Sequence, residues 1–320
     1  MKPSPERSGA EVVETPEPQC CGRMATREVS QDNPGRKPGE FQILLMDITK
    51  RKNLVLGKGL IGSELRILLE ERGEEVKVLS REDGQDLKNS ENYFSQFEWA
   101  DRVWFVAWDV GVWKKDTTPA YEAEILDSNL QLCRSVFRTL ERAGKPFLFV
   151  SSQAAPAPEM LTLGVTKRVG ELWTRILGGH VARLWNVYGW EPVGEKSHLI
   201  PDLVWKGLQG KVELMSNGEE TRQFLYVRDC VEAFIHQFDI GQKHADVVSG
   251  EWVSIKEVAQ LIGKKLGAEV VLGAEPGKPS LYSPEIPLES WKPRFSLNQG
   301  LDEIISLASG ENADSRGLSG

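Results

Sequence analysis

Three glycines constrain this chain more than any other feature. Gly57, Gly59 and Gly62 stand in the run Gly57-Lys58-Gly59-Leu60-Ile61-Gly62. A short apolar stretch, Leu54-Val55-Leu56, precedes the run. An amphipathic pattern follows, with Leu65, Leu68 and Leu69 on one helix face and Gly73 as its stop. Strand, glycine turn and helix form the setting in which G-x-G-x-x-G spacing binds a dinucleotide. The missing side chains permit a tight turn, close approach of backbone to a pyrophosphate, and tight packing of helix on strand. The helix N-terminus adds free N–H groups and a partial positive charge. The alternative is a bare structural turn, and the flanking strand and helix weigh against it. All six residues of the run are therefore expected to contact a cofactor.

The same alternation continues. Val76–Leu79, Val103–Ala107, Phe147–Ser151 and Val181–Trp185 read as strands, and residues 130–143 and 161–176 read as helices. Strands alternating with helices imply a parallel sheet covered on both faces. After Gly189 the pattern loosens into short helices at about 201–208, 231–238 and 255–266. The expected fold is α/β: a doubly wound parallel sheet of Rossmann type over residues 41–190. A smaller, interleaved α+β C-terminal substrate lobe is expected over 191–308. Residues 1–40 are rich in Pro, Glu, Ser and Gly and are expected to be disordered. Phe41–Met46 is either an edge strand or a linker, and 309–320 reads as a tail.

Charge and cysteine usage exclude several classes. A net charge of -8 and the absence of a long basic block argue against nucleic-acid binding. No apolar run reaches the ~20 residues of a membrane span, and the N-terminus lacks a secretory pattern. The four cysteines and four histidines show no metal-ligand spacing, so no metal is expected and each histidine reads as structural or surface. A reducing, cytoplasmic setting is the natural expectation.

The end of the second strand selects the cofactor. An acidic residue there would bind the ribose hydroxyls of NAD. Ser80-Arg81 stands in its place, and a guanidinium suits a 2′-phosphate, so NADP is favoured over NAD. Asp86 and Leu87 follow within reach of the adenine side. Ala107 and Trp108 close the third strand, where the loops of such a fold meet the cofactor. For Trp108, Asp109 and Trp113, stacking on a ligand competes with plain aromatic packing.

Several motifs in order resemble the NAD-dependent epimerase/dehydratase family, the extended short-chain dehydrogenase/reductases. They are Leu-Gly-Lys-Gly-Leu-Ile-Gly at 56–62, Val-Ser-Ser at 150–152, Thr-Lys-Arg-Val-Gly-Glu at 166–171, Arg-Leu-Trp-Asn-Val-Tyr-Gly at 183–189 and Thr-Arg-Gln-Phe-Leu-Tyr-Val-Arg-Asp at 221–229. Trp-Lys-Pro-Arg-Phe-Ser-Leu-Asn-Gln-Gly-Leu at 291–301 resembles the closing segment, and Ser80 to Asp86 resembles dTDP-4-dehydrorhamnose reductases. The resemblance covers about 53–305.

It implies an enzyme, most often a homodimer, that moves a hydride between NAD(P) and a nucleotide sugar in an epimerase, dehydratase or reductase reaction. The family uses a Ser, a Tyr four residues before a Lys, and that Lys. The Tyr exchanges a proton, and the Lys holds the nicotinamide ribose and lowers the Tyr pKa. By resemblance Ser152 is the Ser, at the catalytic and substrate position, and Lys167 is the Lys. Asn129 matches the family's helix-opening Asn, and Asn186 and Arg222 match residues that contact the diphosphate of the substrate. The Tyr position is Leu163, and no tyrosine stands between Ser152 and Lys167. The implied enzyme therefore has a rival: a silent member that binds a dinucleotide or nucleotide sugar as a sensor or partner subunit. Asp229 is expected to cap the helix at Val231.

Overall fold

The computed structural model describes residues 50–111, 118–156, 162–191, 198–278, 280 and 282–310. The N-terminal extension, Phe41–Met46, Trp113 and residues 311–320 lie outside them.

Short apolar runs make the sheet. Strand β1 (Lys52–Leu56) leads through the glycine turn into α1 (Leu60–Glu71), then β2 (Glu75–Leu79), α2 (Phe94–Trp99) and β3 (Arg102–Phe105). Helix α3 (Pro119–Ala143), β4 (Phe147–Ser152), α4 (Thr162–Ile176), β5 (His180–Leu184) and β6 (Asn186–Tyr188) follow. The later elements are α5 (Leu199–Leu208), β7 (Lys211–Glu213), β8 (Thr221–Arg222), β9 (Phe224–Tyr226) and α6 (Val227–Asp239). The chain closes with β10 (His244–Val247), β11 (Val253–Ser254), α7 (Ile255–Leu266), β12 (Glu269–Val271) and α8 (Leu297–Ala308).

Six strands pair in parallel in the order β10-β5-β4-β3-β1-β2. The order reverses between β1 and β3, so their C-terminal ends flank the switch point where such sheets bind ligands. Strands β3 and β5 are buried along their whole length, as a sheet covered on both faces requires. One face packs Phe105, Phe137 and Phe149 together. The other packs Leu148 and Val150 with Phe234 of α6 and Val258 and Ile262 of α7. At the strand ends away from the switch point, Arg102 is buried against Glu74 at 2.8 Å.

Several elements depart from the sequence-based expectations. Helix α3 starts eleven residues early, at Pro119, because Thr118 caps it and proline sits comfortably in a first turn. Helix α6 starts at Val227, so Asp229 lies inside its first turn and does not cap it. The Asp229 carboxylate instead accepts from the backbone N–H groups of Arg294 and Phe295, each at 2.9 Å, and ties the closing segment to α6. Residues 309 and 310 end α8 as its cap rather than opening a tail.

Candidate cofactor cleft and active site

The glycine turn has the geometry its spacing demands. Gly57 has φ of 111°, and a Cβ there would lie 2.8 Å from the Ala107 nitrogen. A Cβ on Gly62 would lie 2.0 Å from the Gly57 carbonyl oxygen. Glycine is obligatory at both positions, because one needs a left-handed backbone and the other packs helix on turn. Gly59 differs: nothing lies within 4 Å of its Cβ position, so a cradle stands open at the start of α1. No side chain caps that helix, which leaves its first N–H groups for an anion. The residues therefore fit the diphosphate of a dinucleotide.

A cleft of about 390 Å³ opens from this turn. Gly57 to Ile61 form one wall, Ser80 to Glu82 and Gln85 to Lys88 the β2 side, and Val106 to Val110 the β3 side. On the β2 side Ser80 is buried and accepts from the Asp83 N–H, opening a single helical turn. Asp83 accepts from the Ser80 hydroxyl at 2.8 Å and pairs with Lys58 at 3.2 Å. The Ser80 hydroxyl and then Lys58 hold its carboxyl below the usual range. The Asp86 carboxylate is engaged by the N–H of Lys88 at 3.0 Å, and Leu87 is buried while lining the cleft. Arg81 is exposed and, among the described residues, makes no ion pair.

The other end of the sheet holds the matched catalytic positions, and none of them lines this cleft. Ser152 ends β4, half-buried, with its Oγ accepting from the Ala154 N–H at 3.2 Å. Leu163 lies in the first turn of α4, where Thr162 donates its hydroxyl to Glu122. Lys167 is 4% exposed, and its Nζ donates to the Val150 carbonyl at 2.6 Å. That Nζ lies 4.1 Å from the centre of the Trp108 indole and 5.0 Å from that of Phe149. Burial pushes the amine down to about 7. Trp108 packs on Phe105 and Phe149, which is the aromatic-packing reading, and it also lines the cleft. Tyr188 and Tyr226 are buried and do not line the cleft, and burial pushes the Tyr188 phenol upward.

Asn129 is fully buried and pins the β3–α3 connection. Its Oδ1 accepts from Asp109 N–H at 3.0 Å and its Nδ2 donates to Asp109 O at 2.8 Å. Asn186 and Arg222 also lie away from the cleft lining. Asn186 pairs opposite Phe224, and its side-chain Oδ1 is buried with no partner. Arg222 donates to the carbonyls of Thr221 at 2.7 Å and Lys278 at 3.0 Å.

One cleft residue escaped the sequence reading. His198 opens α5 and is exposed, as a surface histidine is expected to be, and it also lines the cleft. Its Nδ1 is 2.8 Å from the Glu191 carboxylate, which also receives the His198 N–H at 2.5 Å. A proton on Nδ1 suits that carboxylate and leaves Nε2 as the basic nitrogen. The two stand seven positions apart in the sequence, beyond the i,i+3 and i,i+4 spacings at which helix neighbours meet, so spacing alone does not pair them. Among the described residues no cluster of three or more His, Cys, Asp or Glu could hold a metal. No described helix is long and apolar enough to cross a membrane.

Comparison with known proteins agrees with this geometry. GDP-L-fucose synthase 1 of Arabidopsis thaliana is 25% identical over 287 residues, covering 77% of this chain and 89% of the plant protein. UDP-glucose 4-epimerase of Thermotoga maritima, solved with UDP-glucose, superposes with a TM-score of 0.70 at 20% identity, covering 81% of this chain and 99% of its own. A GDP-L-fucose synthetase of Naegleria fowleri bound to NADP gives 0.70 at 16% identity, covering 83% and 94%. Residues 54–249 match the model of one family, and the chain belongs to it: the NAD dependent epimerase/dehydratase family.

Proposed function

We propose that the chain binds NADP(H) in the cleft and acts on a nucleotide sugar as a reductase or epimerase. The open cradle at Gly59, set between two obligatory glycines, carries this reading. Arg81 on the β2 side supports the 2′-phosphate form, since a guanidinium at the cleft rim meets a phosphate without displacing another partner. Several similar structures were solved with NADP or NADPH, which accords with it. The relatives' names, GDP-L-fucose synthase and UDP-glucose 4-epimerase, support a nucleotide-linked sugar as substrate. Asn186 and Arg222 are the proposed contacts to its diphosphate.

Bound nicotinamide would supply the hydride. The protein must then move a proton at the sugar oxygen or an adjacent carbon, and Leu163 cannot. His198, backed by Glu191, is the proposed proton-transfer group, because it lines the cleft and an imidazole can both give and take a proton. Ser152 is the proposed donor to the substrate oxygen, and Lys167 the proposed partner of the nicotinamide ribose once uncovered. The exposed Leu130 on α3 and Leu172 and Ile176 on α4 support a homodimer. The unpaired thiols of Cys133 and Cys230 support a cytoplasmic setting.

A second reading rests on its own observation. Leu163 stands at the Tyr position and Lys167 lies under Trp108. A silent member that binds the same ligands as a sensor or partner subunit would keep the cradle and need neither. Single-turnover absorbance at 340 nm, with NADPH and a panel of GDP-, UDP- and dTDP-linked keto sugars, separates the two. Oxidation of NADPH by any of them, lost in His198→Ala, supports the enzyme. Binding without oxidation supports the silent reading.

A further inference from the structure

Sheet order dictates how a dinucleotide must lie here. The α1 N-terminus beyond β1 would hold the diphosphate. Ser80 and Arg81 on the β2 side would then hold the adenosine half, which would leave the β3 and β4 side to the nicotinamide half. Trp108 follows the end of β3, between the glycine turn and Ser152 at the end of β4. Trp108 lines the cleft, and the Lys167 amine lies 4.1 Å from the centre of its indole.

We propose that Trp108 is a shutter across the nicotinamide half of the cleft, so that the adenosine half carries most of the cofactor affinity and the nicotinamide enters only when the indole swings aside. The proposal rests on the cofactor reading of the cleft. Three observations support it. Lys167 is buried and absent from the cleft lining, whereas the Trp108 indole against it belongs to a residue that does line the cleft. The Trp108 Nε1 is buried and has no hydrogen-bond partner among the described residues, so none of them locks the ring in place by a hydrogen bond. What holds it is contact with Phe105, Phe149 and the amine, and a swing that exposes the N–H gives that donor solvent or ligand in exchange. The β2 side needs no such movement, because Arg81 is already exposed at the cleft.

Calorimetric titration with NADPH and with 2′-phospho-ADP-ribose, which lacks the nicotinamide, tests the shutter. The parent protein should bind the two within about threefold. Trp108→Ala should bind NADPH at least tenfold more tightly than the parent does and bind the fragment as before. Trp108→Leu keeps an apolar cover on Phe149 and should show the same gain, which guards against a misfolded alanine variant. A parent that already prefers NADPH by tenfold or more, with no further gain in either variant, overturns the shutter and leaves the cofactor reading standing. A parent that binds neither ligand overturns both.

Discussion

The two ends of the cofactor path contrast sharply. At the β1–β2 end the structure shows two obligatory glycines, an open cradle, an uncapped helix start and a guanidinium with no ion pair among the described residues. At the β4–α4 end the position that resemblance assigns to a tyrosine holds Leu163, and Lys167 hydrogen-bonds to Val150 beneath an indole. Retention of the glycine turn does not by itself preserve the machinery it usually serves.

The largest effect is expected where the turn itself is broken. Gly62→Val places side-chain atoms against the Gly57 carbonyl, so NADPH binding should be lost and thermal stability reduced. Gly59→Ala sharpens the point. Nothing contacts its Cβ in the free protein, so the melting temperature should hold while NADPH affinity falls at least tenfold. If Gly59→Ala binds as the parent does, the cradle is not where the diphosphate sits.

The next largest change restores the other end. A positioned general acid/base contributes about 10²–10⁴-fold. Leu163→Tyr combined with Trp108→Leu should therefore raise single-turnover NADPH oxidation at least tenfold with an accepted keto sugar. Leu163→Phe with the same partner substitution adds bulk without the hydroxyl and should not. Equal rates in the two double variants would show that position 163 no longer faces the reacting atoms.

Protonation of Lys167 gives a third test, read as stability rather than rate. Burial lowers its amine from 10.5 to about 7, so between these values the unfolded chain binds more protons than the folded one. Stability therefore rises with pH in that window, with a contribution approaching ~1.4 kcal/mol per pH unit. The clean range is pH 7 to 9. Above the ordinary thiol value of 9.0, Cys133, pushed up by burial to about 12, acts in the opposite sense. Urea unfolding across that range should show the rise in the parent and lose this contribution in Lys167→Met. An unchanged slope in the variant would mean that the amine is not buried as a near-neutral group.

The smallest effect belongs to Arg81. Its replacement by alanine should weaken NADPH about tenfold, the equivalent of about 1.4 kcal/mol, and leave NADH within twofold. Equal losses for both cofactors would remove Arg81 from 2′-phosphate recognition.

The sequence made the binding end legible and the chemical end only half so. Glycine spacing, apolar strand runs and helix stops are local signals, and the β1-turn-α1 unit follows from them. Ser80-Arg81 is read from the same kind of local signal, and both residues line the cleft. Strand β10 was not: His244-Ala245-Asp246-Val247 reads as polar, and it is a strand because β5 offers an edge and Asp246 accepts from Glu285 and Ile286. The closing helix α8 was missed although Ser296 and Gln299 form a capping box. Leu163 was visible as a substitution, but the burial of Lys167 was not. A lysine's periodicity places it on a helix face and says nothing of an indole from another loop. His198 was invisible because its partner, Glu191, is brought to it by tertiary structure.

The central claim is that the cofactor end is intact whatever has become of the chemical end. Titration of the purified chain with NADPH tests it most directly. The account predicts one-to-one binding tighter than roughly 100 μM, about −5.5 kcal/mol, competed by 2′-phospho-ADP-ribose and absent in Gly62→Val. No binding at about 1 mM, or binding that survives in Gly62→Val, would contradict it.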